Sequence, residues 1–292
     1  MSKCSLDIII NCALGLEVGL RKYPKIADEL PAHSIEFITN WNQAMIHIAK
    51  KPEFAKNLSV PGRIMSHMPY ETIRKIAGVM TPSYRHYYYA KRFTEAYKTA
   101  QESLYTDDKN VDKAVDSSQS IYNVLDYGRG LSPLLHLLQS NHSHISILGK
   151  EIDHDSNKIE ANICHALGIK SSHPVWNIKH LEKVAAHTTV LSLGTFTYIP
   201  KELQITELMR IKRMFPHFFI ELNMELTELH DGDSRFMRKL FGTGKYIPLP
   251  VAEIQSIFGK TMPIIMPDFD TKNLPNNIVR EIHKASECFV RQ

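Results

Sequence analysis

The pattern of apolar and polar positions changes character once along the chain. Before residue 119 the apolar residues recur at three- and four-residue steps. Ile35, Ile38, Trp41, Met45 and Ile48 lie on one helical face, with Ser34 placed to cap it. Pro69 and Thr81-Pro82 stand where helices tolerate proline, at a first turn, and predict helices from there and from Ser83 to about Leu104. The polar stretch Asp107–Ser120 reads as a loop. From Ile121 short apolar runs alternate with helical segments. Ile121–Asp126, Ile145–Gly149, Val175-Trp176, Thr189–Leu193 and Phe218–Leu222 predict five strands. Ser132-Pro133, Asp155 and Pro200 open the helices between them, and Gly168 closes the second. The tail predicts helices near Ser234–Leu240 and Val251–Phe258 and strands at Met262–Met266 and Glu287–Val290. Strands alternating with helices imply an α/β fold with a parallel sheet. The expected organisation is an all-helical domain over 1–118 and an α/β domain over 119–292.

Composition narrows the class without naming it. The 292 residues suit about two domains. A hydrophobic content of 43% with 23% charged residues excludes intrinsic disorder. Thirteen glycines without a triplet period exclude a collagen-like chain. Cys4, Cys12, Cys164 and Cys288 have no zinc spacing and make no disulfide framework, so free thiols are expected. The histidines form no metal motif either, and no metal is expected. The apolar stretch from Leu6 to Leu20 is broken by Asp7 and Glu17, too early for a spanning helix. A cytoplasmic protein with no membrane contact is the expectation.

The chemistry concentrates at Leu125-Asp126-Tyr127-Gly128-Arg129-Gly130-Leu131-Ser132-Pro133, where a strand runs through a Gly-x-Gly turn into a helix. Such a turn lets backbone approach a nucleotide-like ligand at the helix N-terminus. A dinucleotide fingerprint wants a third glycine where Pro133 stands. Asp126, two residues before Gly128, suits a cationic sulfonium better than a pyrophosphate. The next strand ends in Gly149-Lys150-Glu151-Ile152-Asp153, and Glu151 follows Gly130 by 21 residues, the spacing of a ribose-binding acid.

These two segments resemble the first and second motifs of the class I S-adenosylmethionine-dependent methyltransferase superfamily. The resemblance covers about residues 119–292 and implies a Rossmann-like sheet, S-adenosylmethionine as cofactor, and Asp126, Gly128, Gly130 and Glu151 as its contacts. It further implies Asn177 near the adenine, and Thr195 and Tyr198 in the loop that borders methyl transfer. That loop, Gly194-Thr195-Phe196-Thr197-Tyr198, lacks the Asn/Asp-Pro-Pro-Tyr signature of amino-group methylation, and no catalytic base stands out. Lys212 and Glu221 match two members of a Lys-Asp-Lys-Glu set, or equally are solvated charges.

Net charge is +4, yet residues 50–98 carry ten bases against three acids. Within them Tyr84–Phe93 interleaves aromatic and basic side chains. Arg85, Tyr88, Lys91 and Arg92 are therefore candidate contacts to RNA phosphates and unpaired bases. A solvated helix face is the competing reading. Gly130-Leu131-Ser132-Pro133-Leu134 behind a helical domain is similar to ribosomal RNA guanine-N7 methyltransferases and makes ribosomal RNA the favoured substrate. The same arrangement is similar to nicotianamine-synthase-like enzymes, which transfer an aminocarboxypropyl arm to small amines. A third alternative is a non-catalytic binding module, because Arg129 interrupts the cofactor turn.

Overall fold

The computed structural model describes residues 6–81, 83–111, 122–151, 153–175, 178–196, 199–223, 249–259, 262–263 and 287–291. The expected boundary near residue 118 and the helix expected near 234–240 lie outside them. Seven helices come first: α1 (Leu6–Lys22), α2 (Pro24–Ala27), α3 (Ser34–Ala49), α4 (Pro52–Ala55), α5 (Val60–Ser66), α6 (Tyr70–Met80) and α7 (Ser83–Val111). His33 rather than Ser34 precedes α3, without a side-chain cap bond. Its apolar face packs as the spacing requires, with Ile38, Trp41, Met45 and Ile48 all buried.

The acids that interrupt the first apolar stretch anchor α1 in this bundle. Asp7 accepts the Ser59 N–H at 2.7 Å. Glu17 is fully buried and accepts from Arg21 Nε, Thr39 Oγ1, Asn42 Nδ2 and the Tyr70 hydroxyl. A buried carboxylate persists when every lone pair has such a donor. No helix among the described residues is long and apolar enough to cross a membrane.

The second half builds a seven-stranded sheet in the order β3-β2-β1-β4-β5-β7-β6. Its strands are β1 (Tyr122–Tyr127), β2 (Ile145–Lys150), β3 (His173–Pro174), β4 (Thr188–Ser192), β5 (His217–Asn223), β6 (Met262–Pro263) and β7 (Glu287–Arg291). The first five are parallel and β7 runs antiparallel between β5 and β6. β1 and β4 are buried at every position, polar residues included, as befits central parallel strands covered on both faces. The third strand forms at His173–Pro174, just before the expected Val175-Trp176. The intervening helices are α8 (Leu134–Asn141), α9 (His154–Leu167), α10 (Ile178–Val184), α11 (Lys201–Met214) and α12 (Val251–Phe258). The cap of α9 is Asp153, whose carboxylate accepts the Ser156 N–H at 3.1 Å, not Asp155. Gly168 closes that helix with φ of 65°.

Two hydrophobic clusters span both halves. In one, Leu16, Leu20, Ile38, Phe93 and Tyr97 of the helices join Val124, Ile147, Leu191 and Phe219 of the sheet. α3 also reaches the turn after β1: Trp41 Nε1 donates to the Leu131 carbonyl at 3.0 Å, and its ring stacks on His136 of α8.

Beneath that turn lies a buried ionic group. Arg129 pairs with Glu160 of α9 at 2.7 Å, donates to Ser172 and reaches Asn157 at 2.6 Å. His136 stands 3.0 Å from the same Glu160 oxygen. Gly149 makes room for the crossing, since a Cβ there would stand 2.9 Å from Arg129 Nε. Burial alone would raise the Glu160 carboxyl. The His136 hydrogen bond and the Arg129 charge outweigh it and hold the group down to about 2, against an ordinary 4.5. A depressed folded value stabilises the protein fully above pH 4.5, and that share disappears as pH falls toward 2. Glu160→Gln is expected to cost about 3–5 kcal/mol at pH 7, as for any buried pair left with one charge. Urea unfolding of the two proteins should converge as pH falls from 4.5 toward 2.

Candidate functional site

The carboxyl ends of β1, β2 and β4 open into a cavity of about 580 Å³. A volume in this range fits small-molecule sites, roughly 300–1,000 Å³. Its floor is the Gly128–Gly130 turn and its roof is α1 and α7 of the helical half.

The turn is tied down on both sides. Gly128 N–H donates to the Lys150 carbonyl at 2.7 Å, and Thr195 Oγ1 donates to the Gly128 carbonyl at 2.8 Å. Gly128 has φ of 71°, and a Cβ there would overlap the Thr195 side chain. Only glycine meets both demands. Gly130, with φ of 53°, donates its N–H to Glu151 Oε2 at 2.9 Å. The other Glu151 oxygen accepts the Asp153 N–H at 2.8 Å. The acid closing β2 is thereby aimed across the turn at the cavity it lines.

Asp126 is buried at the end of β1, and it is not among the residues lining the cavity. Burial pushes its carboxyl up to about 7; Arg129 opposes that rise and Glu151 adds to it. Arg129 borders the cavity, while its guanidinium pairs with Glu160.

A polar wall escaped the sequence reading. Lys150 Nζ donates to the Tyr127 hydroxyl at 2.9 Å and lies 4.2 Å from that ring's centroid. The Tyr127 hydroxyl donates in turn to Glu207 of α11 at 2.5 Å. Burial lowers the Lys150 amine, partly offset by Glu207, and burial with Glu207 raises the Tyr127 phenol. The wall thus carries a proton donor and an amine easier to deprotonate than an ordinary lysine. Its only advance signal was that Tyr127 and Lys150 lie within the two motifs. The roof residues Ile9, Cys12, Ala13 and Leu16 were missed too, although their helical spacing in the first apolar stretch was visible.

The basic, tyrosine-rich stretch does not form a free cationic face. Tyr88 is buried and donates to Glu221 of β5. Arg92 donates to both Glu221 oxygens, at 3.1 and 2.9 Å, and lines the cavity. Burial works against the Arg92 charge, yet Glu221 holds it firmly protonated. Lys91 pairs with Glu95 at 2.7 Å and Glu29 at 3.7 Å. Arg85 is partly buried and engaged by neighbours. Glu221 is 3% exposed, so it is not a solvated strand-end charge. Thr195 lines the cavity but spends its hydroxyl on the turn. Asn177 and Tyr198 lie outside the described residues.

His136, Glu160 and Cys164 lie within 4.8 Å of one another and are all buried. The guanidinium of Arg129 pairs with one Glu160 oxygen within this group.

Gly128→Ala should cost about 1–2 kcal/mol from backbone strain alone, besides its clash with Thr195. Thr195→Gly added to it should recover the clash and leave the strain, a difference that thermal denaturation of the three proteins will resolve.

No protein-family model matches the sequence, and no curated protein matches it. Solved structures do overlap in shape. PKMT2 from Rickettsia typhi superposes with a TM-score of 0.42 at 10% identity, over 67% of this chain and 52% of its own. The chain thus spans about half the length of that protein. Magnesium protoporphyrin IX methyltransferase from Synechocystis PCC 6803, with bound SAH, gives 0.40 at 10% identity over 69% and 85%. The mitomycin 7-O-methyltransferase MmcR gives 0.39 at 10% identity over 86% and 93%. Overlaps of this size add nothing to the strand order, which speaks for itself: five parallel strands in the order 3-2-1-4-5, with an antiparallel strand inserted before the last. By that order and its glycine turn the described sheet is a Rossmann-like α/β fold.

Proposed function

We propose that the chain is an S-adenosylmethionine-dependent methyltransferase whose acceptor is a small molecule held between the sheet and the helical roof. The observation that carries this reading is the cavity itself, continuous from Glu151 and the glycine turn to α1 and α7. Its residues fit the cofactor's chemistry. Glu151 offers a carboxylate to paired hydroxyls. Asp126 places a second carboxylate beneath the turn, where a cation gains and a phosphate does not. When bound, the cofactor supplies an electrophilic methyl group on a sulfonium. The protein's own work is positioning: the turn and Glu151 orient one partner, and Ile9, Leu16, Phe93 and Leu193 exclude water around the other.

An RNA acceptor is disfavoured because Lys91 and Arg92, two of the cations expected to hold phosphates, are paired with acids of the fold. Free RNA-binding cations would give a steep salt dependence, so salt-insensitive or absent RNA binding is the expected result. Transfer of methyl rather than an aminocarboxypropyl arm is read from product mass.

The cofactor reading has its own test. Calorimetry should show binding of S-adenosylmethionine and S-adenosylhomocysteine, with Glu151→Gln weaker by about 10–100-fold, the worth of a charged hydrogen bond. No binding at millimolar ligand would sink it. A pH series separates the two ligands. Asp126 ionises near 7, and a nearby sulfonium favours its charged form. Affinity for the cationic ligand should fall as pH drops below 7, while that for neutral S-adenosylhomocysteine stays level. Asp126→Asn should abolish the difference.

A further inference from the structure

Arg92 has more hydrogen-bonding capacity than the fold uses. Both bonds to Glu221 leave from Nη1, and among the described residues Nε and Nη2 donate to nothing. The side chain is 17% exposed, and the cavity is what it faces. Its plane is held by two aromatic rings, with the guanidinium carbon 5.4 Å from the Tyr88 centroid and 4.8 Å from that of Tyr89. A guanidinium fixed in this way, with one edge free, fits a planar carboxylate through two parallel hydrogen bonds.

The position within the cavity says whose carboxylate it is. Glu151 marks the ribose end on β2, and Glu221 marks the Arg92 end on β5. These strands are three spacings apart in the order β2-β1-β4-β5, about 14 Å. The loop after β4 passes over the pair, since a Cβ on Gly194 would stand 3.8 Å from Arg92 Nη1 and 3.7 Å from Glu221 Oε2. Arg92 thus lies beyond the glycine turn, on the acceptor side. The surfaces beside it are apolar: Ala13, Leu16, Phe93 and Leu193. Charge also balances. Arg92 and Glu221 neutralise each other, so an incoming carboxylate meets no net charge from the pair.

Building on the function proposed above, we propose that the Nε–Nη2 edge of Arg92 binds the carboxylate of the acceptor, which makes the substrate a small organic acid with an apolar or aromatic body.

The test is calorimetry on the full chain saturated with S-adenosylhomocysteine. A panel of short aryl and aliphatic acids, beginning with phenylacetate, is titrated against the matching amides. Acids should bind at least about ten times tighter than their amides. Arg92→Lys keeps a positive charge against Glu221 but loses the fork, and should cost the acids about tenfold with S-adenosylhomocysteine affinity unchanged. Arg92→Met with Glu221→Gln removes the pair without leaving a lone buried charge, and should erase the preference for acids. Equal binding of acid and amide, or acids indifferent to Arg92→Lys, overturns the proposal. So does an Arg92→Lys protein that loses affinity for S-adenosylmethionine but not for its decarboxylated analogue, because the guanidinium then serves the cofactor. Failure of S-adenosylhomocysteine to bind the unmodified protein removes the methyltransferase reading itself. Its binding without any acid preference removes this inference alone.

Discussion

The glycine turn after β1 stands on a buried ion pair. Arg129 occurs between the two glycines that shape the turn, a place where a long charged side chain would ordinarily fill the ligand space. It is accommodated because Gly149 leaves a gap beneath β2 and Glu160 waits behind it. The pair links the β1 turn to α9, and through His136 and Trp41 the link continues into α3 of the helical half. A buried ion pair of this kind is weak evidence for net stability, since desolvation consumes much of its attraction. What it supplies here is position. The turn, the helix that follows it and the acid that closes β2 are held in one relation, and the Leu131 carbonyl is held from the other side by the Trp41 indole.

The same logic explains the tyrosine-rich helix. α7 packs on β4 and β5 and brings a dense row of cations over the sheet. Left unpaired these would repel one another and resist burial. Glu221, Glu95 and Glu29 take up Arg92, Lys91 and Lys98, so the row becomes a set of fasteners between helix and sheet and between helix and the segment after α2. Charge counted along a sequence measures supply. Whether that supply faces a polyanion depends on acids elsewhere in the chain, and Glu221 lies 129 residues from Arg92.

This distance marks the limit of what could be read in advance. Strands β1, β2, β4 and β5 were legible because parallel strands buried on both faces leave short apolar runs, and their ends moved by a residue, while the short exposed β3 formed just before its expected place. The glycine turn and Glu151 were legible because a tight turn needs glycine and because the spacing between the motifs is fixed by one helix and two strands. Local competition blurred the helix starts: Asp153 and Asp155 are both good caps, and the end of β2 decided for the first. The roof of the cavity was hidden, since Ile9 and Leu16 look like any core residues until α1 is laid across the sheet. The course of Arg129 was hidden for the opposite reason, because the sequence places it in the turn and only Gly149 and Glu160 show where it goes.

The cavity is sorted by charge along its length. Glu151 and Asp153 line the end over β2, the Tyr127, Lys150 and Glu207 wall lies alongside, and Arg92 closes the end over β5. On the function proposed above, a cationic centre would lie near the acids and a carboxylate near the Arg92 fork, in a space lined largely by apolar side chains where little water screens charge. On that proposal, the helical half contributes the Arg92 guanidinium at the β5 end of the cavity, and Glu221 of the sheet holds it in place.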